Sequence, residues 1–168
     1  MTHAERERQF LELFEKNKAS IRRVCFGYLN SATEVDDLFQ EVMTNVWHSL
    51  PSFRGESKIS TWVYRIAVNT ALVYRKKWKQ GEELSDLPDA RPCAHQNLEQ
   101  EERLAMLHAA IATLPDQERL IITLLLEGLS YKEIADVTGI TVNYVGVKIS
   151  RIKETLEQLI GEASNGRV

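Results

Sequence analysis

Apolar residues recur at three- and four-residue intervals through most of the chain, and no stretch shows the two-residue alternation of a half-buried strand. The pattern predicts an all-α fold. A first amphipathic helix runs roughly from Glu5 to Leu29 and stops at Asn30-Ser31. A second begins at Thr33, which has capping-box spacing to Asp36, and ends near Leu50-Pro51. Pro51 and Gly55 punctuate a loop over 51–57. A third long helix spans roughly Lys58 to Lys79, with Ile59, Val63, Ile66, Thr70 and Val73 as its core stripe at 100° per residue. The pattern then lapses. Residues 80–97 hold two prolines, a glycine and several acids but no apolar stripe, which is the composition of a linker. Helices resume over about Leu98–Thr113, and Pro115 with Asp116 and Glu118 opens another that ends at Gly128. Ser130 and Glu133 form a capping box for a short helix. Thr141 caps the last, whose stripe is Val142, Val145, Ile149, Ile152, Leu156 and Leu159. The architecture expected is two small helical domains, 1–79 and 98–163, joined by a flexible acidic linker.

Within the second domain, Leu129–Arg151 has the spacing of a helix-turn-helix. Ala135 is small where two helices cross, Gly139 can adopt the positive φ of the sharp turn, and Val145 points back into the core. The other face of the last helix then carries Asn143, Tyr144, Val147, Lys148 and Arg151. An amide, an aromatic, a methyl-bearing side chain and two cations suit base-edge and phosphate contacts in a major groove. A merely solvated charged face is the plain alternative for the cations.

Beside the core stripe of the third helix runs a row of Lys58, Trp62, Arg65, Asn69 and Lys76, extended by Arg75, Lys77 and Lys79. Cations interleaved with an aromatic and an amide are what single-stranded nucleic acid requires, because bases stack on the ring while phosphates meet the cations. The composition fits equally a Trp62 that belongs to the core. The acids opening the second helix (Asp36, Asp37, Glu41, with Gln40) need no more than a helix dipole to explain them.

Composition changes this picture little. The chain has 168 residues, 43% hydrophobic and 27% charged, an ordinary globular mixture. Its net charge of −3 conceals a basic first half: residues 1–80 sum to +4, 81–101 to −5 and 102–168 to −2. No apolar run approaches the ~20 residues of a membrane span, and the charged N-terminus lacks the apolar core of a signal peptide, so a cytoplasmic protein is expected. Cys25 and Cys93 are far apart and outside any CxxC pattern, so neither a disulfide framework nor a zinc site is expected. His3, His48, His95 and His108 have no metal-ligand spacing, there is no phosphate-binding glycine loop, and no acid pair is placed for acid–base catalysis. No catalytic residue, metal or cofactor is expected.

Taken together, the segments DDLFQEVMTNVW, SFRGESKISTWVYRIAVNTA and LPDQERLIITLLLEGLSYKEIADVTGI resemble a bacterial RNA polymerase sigma factor of the extracytoplasmic-function (ECF) type. The first two are similar to family region two, and the third, with the helix after it, to region four. The resemblance implies a specificity subunit rather than an enzyme, and it names partners. Asp37, Leu38, Gln40 and Glu41 would dock on the β′ clamp helices of core RNA polymerase. Phe53 and Arg54 of the loop, with Lys58, Trp62, Arg65, Asn69 and Lys76, would capture the promoter minus-ten element as an unpaired strand with a flipped base. Asn143, Tyr144, Val147, Lys148 and Arg151 would read the minus-thirty-five element as duplex, beside a contact with the β flap. The acidic linker would lie toward the RNA exit channel. An anti-sigma factor, often membrane-bound, would hold such a protein inactive; no small-molecule substrate and no direct membrane insertion are implied. The recognition helix departs from the family pattern, with Gly146 at a commonly basic position and Tyr144 at a small hydroxyl position. Two rival classes share the helix-turn-helix: a dimeric operator-binding regulator that needs no polymerase, and a helical adaptor that binds only proteins.

Overall fold

The structure, a computed structural model, describes residues 2–29, 32–78 and 98–165; the linker expected over 80–97 lies outside them. Seven α-helices make up the described chain, with no strand among the described residues. They are α1 (His3–Tyr28), α2 (Ala32–Ser49), α3 (Ile59–Trp78), α4 (Leu98–Ala112), α5 (Asp116–Leu126), α6 (Tyr131–Thr138) and α7 (Val142–Asn165), with a short 3-10 turn, Leu50–Ser52, after α2.

Local chemistry sets the ends. Thr2 and Glu5 make a reciprocal capping box that opens α1. Ser130 and Glu133 do the same for α6, and the Thr141 hydroxyl accepts from Tyr144 N at the start of α7. Gly139 ends α6 in the left-handed region at φ 76°, which is the turn expected of a helix-turn-helix. Ala135 and Val145 are buried at the crossing of α6 and α7 as the spacing predicts.

Three expectations are corrected. Thr33 is the second residue of α2, not its cap. The buried face of α3 consists of Thr61, Val63, Tyr64, Ala67, Val68, Thr70 and Ala71, while Ile59 and Val73 are exposed. That helix packs on both α1 and α2, and its alanines let neighbours approach, so its core face is rotated from the single stripe. Val142 is also exposed, because the first residue of α7 precedes the part that packs on α4 and α5.

The helices α1–α3 form one bundle and α4–α7 another, yet the buried residues of both belong to one contiguous cluster. The join has two parts, α5 against α1 and α6 against α3. In the first, Gly27 of α1 sits so close to α5 that a Cβ there would lie 3.3 Å from Thr123 Oγ1. Arg119, 5% exposed, donates from Nε to the Gly27 carbonyl at 3.0 Å. Its Nη1 donates to the carbonyls of Leu114 (3.1 Å) and Ala112 (3.3 Å), and its Nη2 to Asp116 (2.6 Å). At the rim, the Arg23 guanidinium meets both oxygens of Glu127. Cys25 is buried beside this join, and burial pushes its thiol up to about 12.

Candidate nucleic-acid interface

The loop after α2 and the first turns of α3 build a basic, aromatic surface. Gly55 takes φ 73°, a conformation closed to most L residues, and so turns the loop back toward the helix. Phe53 packs against Trp62 with ring centroids 5.1 Å apart. Trp62 is half-buried: one side contacts the core and the other faces solvent. Both readings of its sequence context are therefore partly right. Arg54, Lys58, Arg65 and Asn69 are exposed around it. An open cavity of about 400 Å³ lies here, lined by Phe53, Arg54, Glu56, Ser57, Trp62 and Arg65 among others. Lys76 is in α3, and its side chain lies outside the described residues.

One residue of that cavity comes from the other bundle. Asp136 of α6 lines it together with Arg54 and Arg65. One turn earlier, Glu133 Oε1 lies 3.2 Å from Lys58 Nζ and accepts from the Thr61 hydroxyl at 3.2 Å. Hydrogen bonds from the Ser130 backbone and hydroxyl, then Lys58, hold the Glu133 carboxyl down to about 2.

The recognition helix α7 presents a row spaced by four residues, Asn143, Val147 and Arg151, directly opposite its buried Val145, Ile149 and Ile152. Val147 is 50% exposed at the centre of that row, with Tyr144 (42%) on its flank. Lys148 requires a correction. It is not on the free face: its ammonium pairs with Glu118 of α5 at 2.9 Å and lies over the Tyr144 ring, 5.6 Å from the centroid. The Glu118 hydrogen bond holds its pKa above the ordinary lysine value. Lys148 therefore braces Tyr144 and joins α7 to α5, leaving Arg151 as the cation on the outward row. Gly146 faces the Tyr131 ring with room for a Cβ at 3.8 Å, and nothing in the structure explains its lack of a side chain.

On α2, Asp37 and Gln40 are exposed and Glu41 is half-buried, all on one outward face. Leu38 is corrected: it is fully buried, so it anchors α2 in the core and offers nothing to a partner. Asp36 pairs with Arg22 of α1 at 2.5 Å. Among the described residues no cluster of three His, Cys, Asp or Glu could hold a metal, and no helix is long and apolar enough to cross a membrane.

Comparison with known proteins gives two family matches, sigma-70 region 2 over residues 13–80 and sigma-70 region 4 over residues 104–156. The RNA polymerase sigma-H factor of Pseudomonas aeruginosa is 32% identical, over 92% of this chain and 87% of its own length. The ECF RNA polymerase sigma-E factor of Escherichia coli is also 32% identical, over 76% of this chain and 74% of its own. The sigma factor SigZ of Bacillus subtilis is 30% identical over 89% and 85%. Among solved structures, the sigma factor RpoE of Bartonella quintana in complex with the anti-sigma factor NepR matches with a TM-score of 0.77 at 19% identity, covering 91% of this chain and 97% of that one. CnrH, solved with the cytosolic domain of CnrY, matches with a TM-score of 0.66 at 23% identity, covering 93% of this chain and 90% of that one.

Proposed function

The chain belongs to the RNA polymerase sigma factors of the extracytoplasmic-function type, and from that premise we propose how its residues divide the work. The N-terminal bundle, 1–79, docks on the polymerase β′ clamp helices through Asp37, Gln40 and Glu41. Its loop and α3 capture the unpaired minus-ten strand. The C-terminal bundle, 98–163, reads the minus-thirty-five duplex through α7. The protein performs no bond-making chemistry of its own; it works in the cytoplasm as a dissociable specificity subunit.

The observation that carries this reading is the half-buried Phe53–Trp62 pair beside an open cavity lined by Arg54 and Arg65. A duplex reader alone has no use for such a pocket. A strand-trapping protein does, because unstacking a base costs a few kcal/mol and stacking with phosphate contacts offsets it. Core polymerase supplemented with the protein is expected to initiate at a discrete subset of a genomic promoter library. Initiation at no member of the library would overturn the reading, and tight operator binding without polymerase would favour a stand-alone regulator. We also propose that an anti-sigma factor controls it, as the complex of RpoE with the anti-sigma factor NepR suggests.

The α7 row makes the duplex contact specific. Asn143 suits the paired N6/N7 edge of adenine and Arg151 the O6/N7 edge of guanine, while Val147 has only one partner in a major groove, the thymine methyl. Replacing the facing thymine by uracil is expected to weaken minus-thirty-five-dependent transcription about fourfold, the worth of one buried methyl group. The Val147→Ala variant should be nearly indifferent to that change. Equal sensitivity of both proteins would show that Val147 does not face a thymine.

A further inference from the structure

We infer that Glu118 and Lys148 are positioning residues for Tyr144. Their ion pair holds the Tyr144 ring in one attitude toward the duplex, and so sets selectivity at one base pair of the minus-thirty-five element without neutralising a phosphate. The inference rests on the duplex-reading role proposed above for α7.

Tyr144 and Lys148 stand one turn apart on α7, where side chains four residues apart meet. A long side chain in a helix leans toward the N-terminus, so Lys148 reaches back over Tyr144. Its ammonium lies 5.6 Å from the ring centroid, within the range of a cation–π contact. The Tyr144 backbone is fixed as well, since its N–H donates to the Thr141 hydroxyl at 3.2 Å. The ring face under the ammonium is closed to a base. The rest of this exposed ring, with its hydroxyl, is left to meet one.

Glu118, in the first turn of α5, decides where that ammonium sits. The two charged groups meet at 2.9 Å, with the Lys148 and Glu118 side chains only 18% and 22% exposed. A pair so withdrawn from solvent is screened little by salt, unlike the open Lys18–Glu15 pair on α1. The hydrogen bond that Lys148 donates to Glu118 is the largest influence on its pKa and raises it, against a desolvation that would lower it. An ammonium already neutralised by a carboxylate has little charge to offer a phosphate. The pair therefore does something for α7 other than attract the DNA backbone.

What it does is order a reading side chain before the duplex arrives. Immobilising a free side chain at an interface costs about two- to tenfold in affinity, and a side chain already held in place escapes that cost. The gain is not shared by every sequence. A ring fixed in one position favours the base edge that matches it, and it cannot turn aside to accommodate a base edge that does not. A mobile tyrosine would bind both with less discrimination. The relay from Glu118 through Lys148 to Tyr144 thus converts a contact between two helices of the protein into a preference at one base pair.

The full chain bound to core polymerase tests the inference. The probe is a fluorescein-labelled duplex promoter fragment selected in the transcription assay, with each minus-thirty-five base pair replaced in turn and affinity read by anisotropy. Tyr144→Ala identifies the base pair concerned: a replacement that costs the wild type about tenfold there should cost this variant less than about twofold. At that base pair and no other, Lys148→Met and Glu118→Ala should lower the tenfold preference to about threefold. Lys148→Arg should keep it, because a guanidinium can pair with Glu118 and lie on the ring. Salt dependence separates this role from a phosphate contact. Loss of such a contact in Lys148→Met would take about 0.9 off the logarithmic salt slope, and no change is expected. That fall in slope overturns the inference. So does a full preference at the Tyr144 base pair in Lys148→Met and Glu118→Ala, or a Tyr144→Ala protein that keeps every preference. Should Lys148→Met fail to fold, Glu118→Ala decides alone. If the wild type is indifferent to every minus-thirty-five replacement, the duplex-reading role of α7 itself falls, and the inference with it.

Discussion

Replacing Arg119 with methionine is expected to destabilise the protein by about 3–5 kcal/mol, the range for removing one member of a buried charged network. Its guanidinium serves the carbonyls of Gly27, Ala112 and Leu114 and the carboxylate of Asp116 from a single buried position. Gly27 and Ala112 lie in the last turns of α1 and α4, where carbonyls have no partner within their own helix. A cation placed there also meets the negative ends of two helix dipoles. Methionine matches the length but deprives two buried acceptors, the Gly27 and Leu114 carbonyls, of this donor, each costing about 1–3 kcal/mol, and the part-buried Ala112 carbonyl besides. The melting temperature should fall by roughly 6–20 °C at about 2–4 °C per kcal/mol for a chain of this size. Arg119→Lys should recover only part of the loss, because an ammonium cannot reproduce the planar fork. Thermal melting followed by circular dichroism distinguishes these outcomes; a methionine variant within about 1 kcal/mol of the wild type would show that the network contributes little.

Legibility in the sequence divides along a physical line. Signals contained in one helix or turn are mostly legible: the Ser130–Glu133 box, the Gly139 turn, and the buried Ala135 and Val145 stand where their spacing puts them, and the Thr33–Asp36 box is the exception. The sequence misleads at residues whose environment another helix decides. Leu38 lies among docking residues in sequence, but α2 turns it inward. Lys148 looks like a free cation until α5 brings Glu118 to it. Val73 and Ile59 fit one stripe of an isolated helix, whereas α3 packs against three others, α1, α2 and α6. The contact of α6 with α3 leaves no mark in local periodicity, since Glu133 and Asp136 fit equally a cap and a solvated face. At the separate join of α1 with α5, Gly27 offers a hint, a glycine in a helical pattern that admits a close neighbour, although Gly146 is another that has none. Arg119 carries a similar hint, a cation bounded by apolar Leu120, Ile121 and Ile122.

Trp62→Ala should cost more in function than any other single change at the surface. Stacking of a base on an aromatic ring is worth about 1–3 kcal/mol, so open-complex formation is expected to fall about 5- to 150-fold. Trp62 is only half-buried, and its partner Phe53 is itself in the loop, so the fold should tolerate the truncation better than it tolerates loss of Arg119. A template in which the minus-ten element is already unpaired separates the two causes of a low rate. There the unpairing cost is removed, and a defect in strand capture should shrink to a fraction of its size on closed duplex. A folding or polymerase-docking defect would persist unchanged on both templates. Trp62→Phe, which keeps a stacking face, should restore most of the rate. Arg65→Ala should lower it in a salt-dependent way, because a cation that no longer neutralises its phosphate takes about 0.7 off the logarithmic salt slope for a single strand. If Trp62→Ala loses as much activity on the pre-opened template as on duplex, the ring serves the loop's structure and not the strand, and the cavity beside it has another occupant.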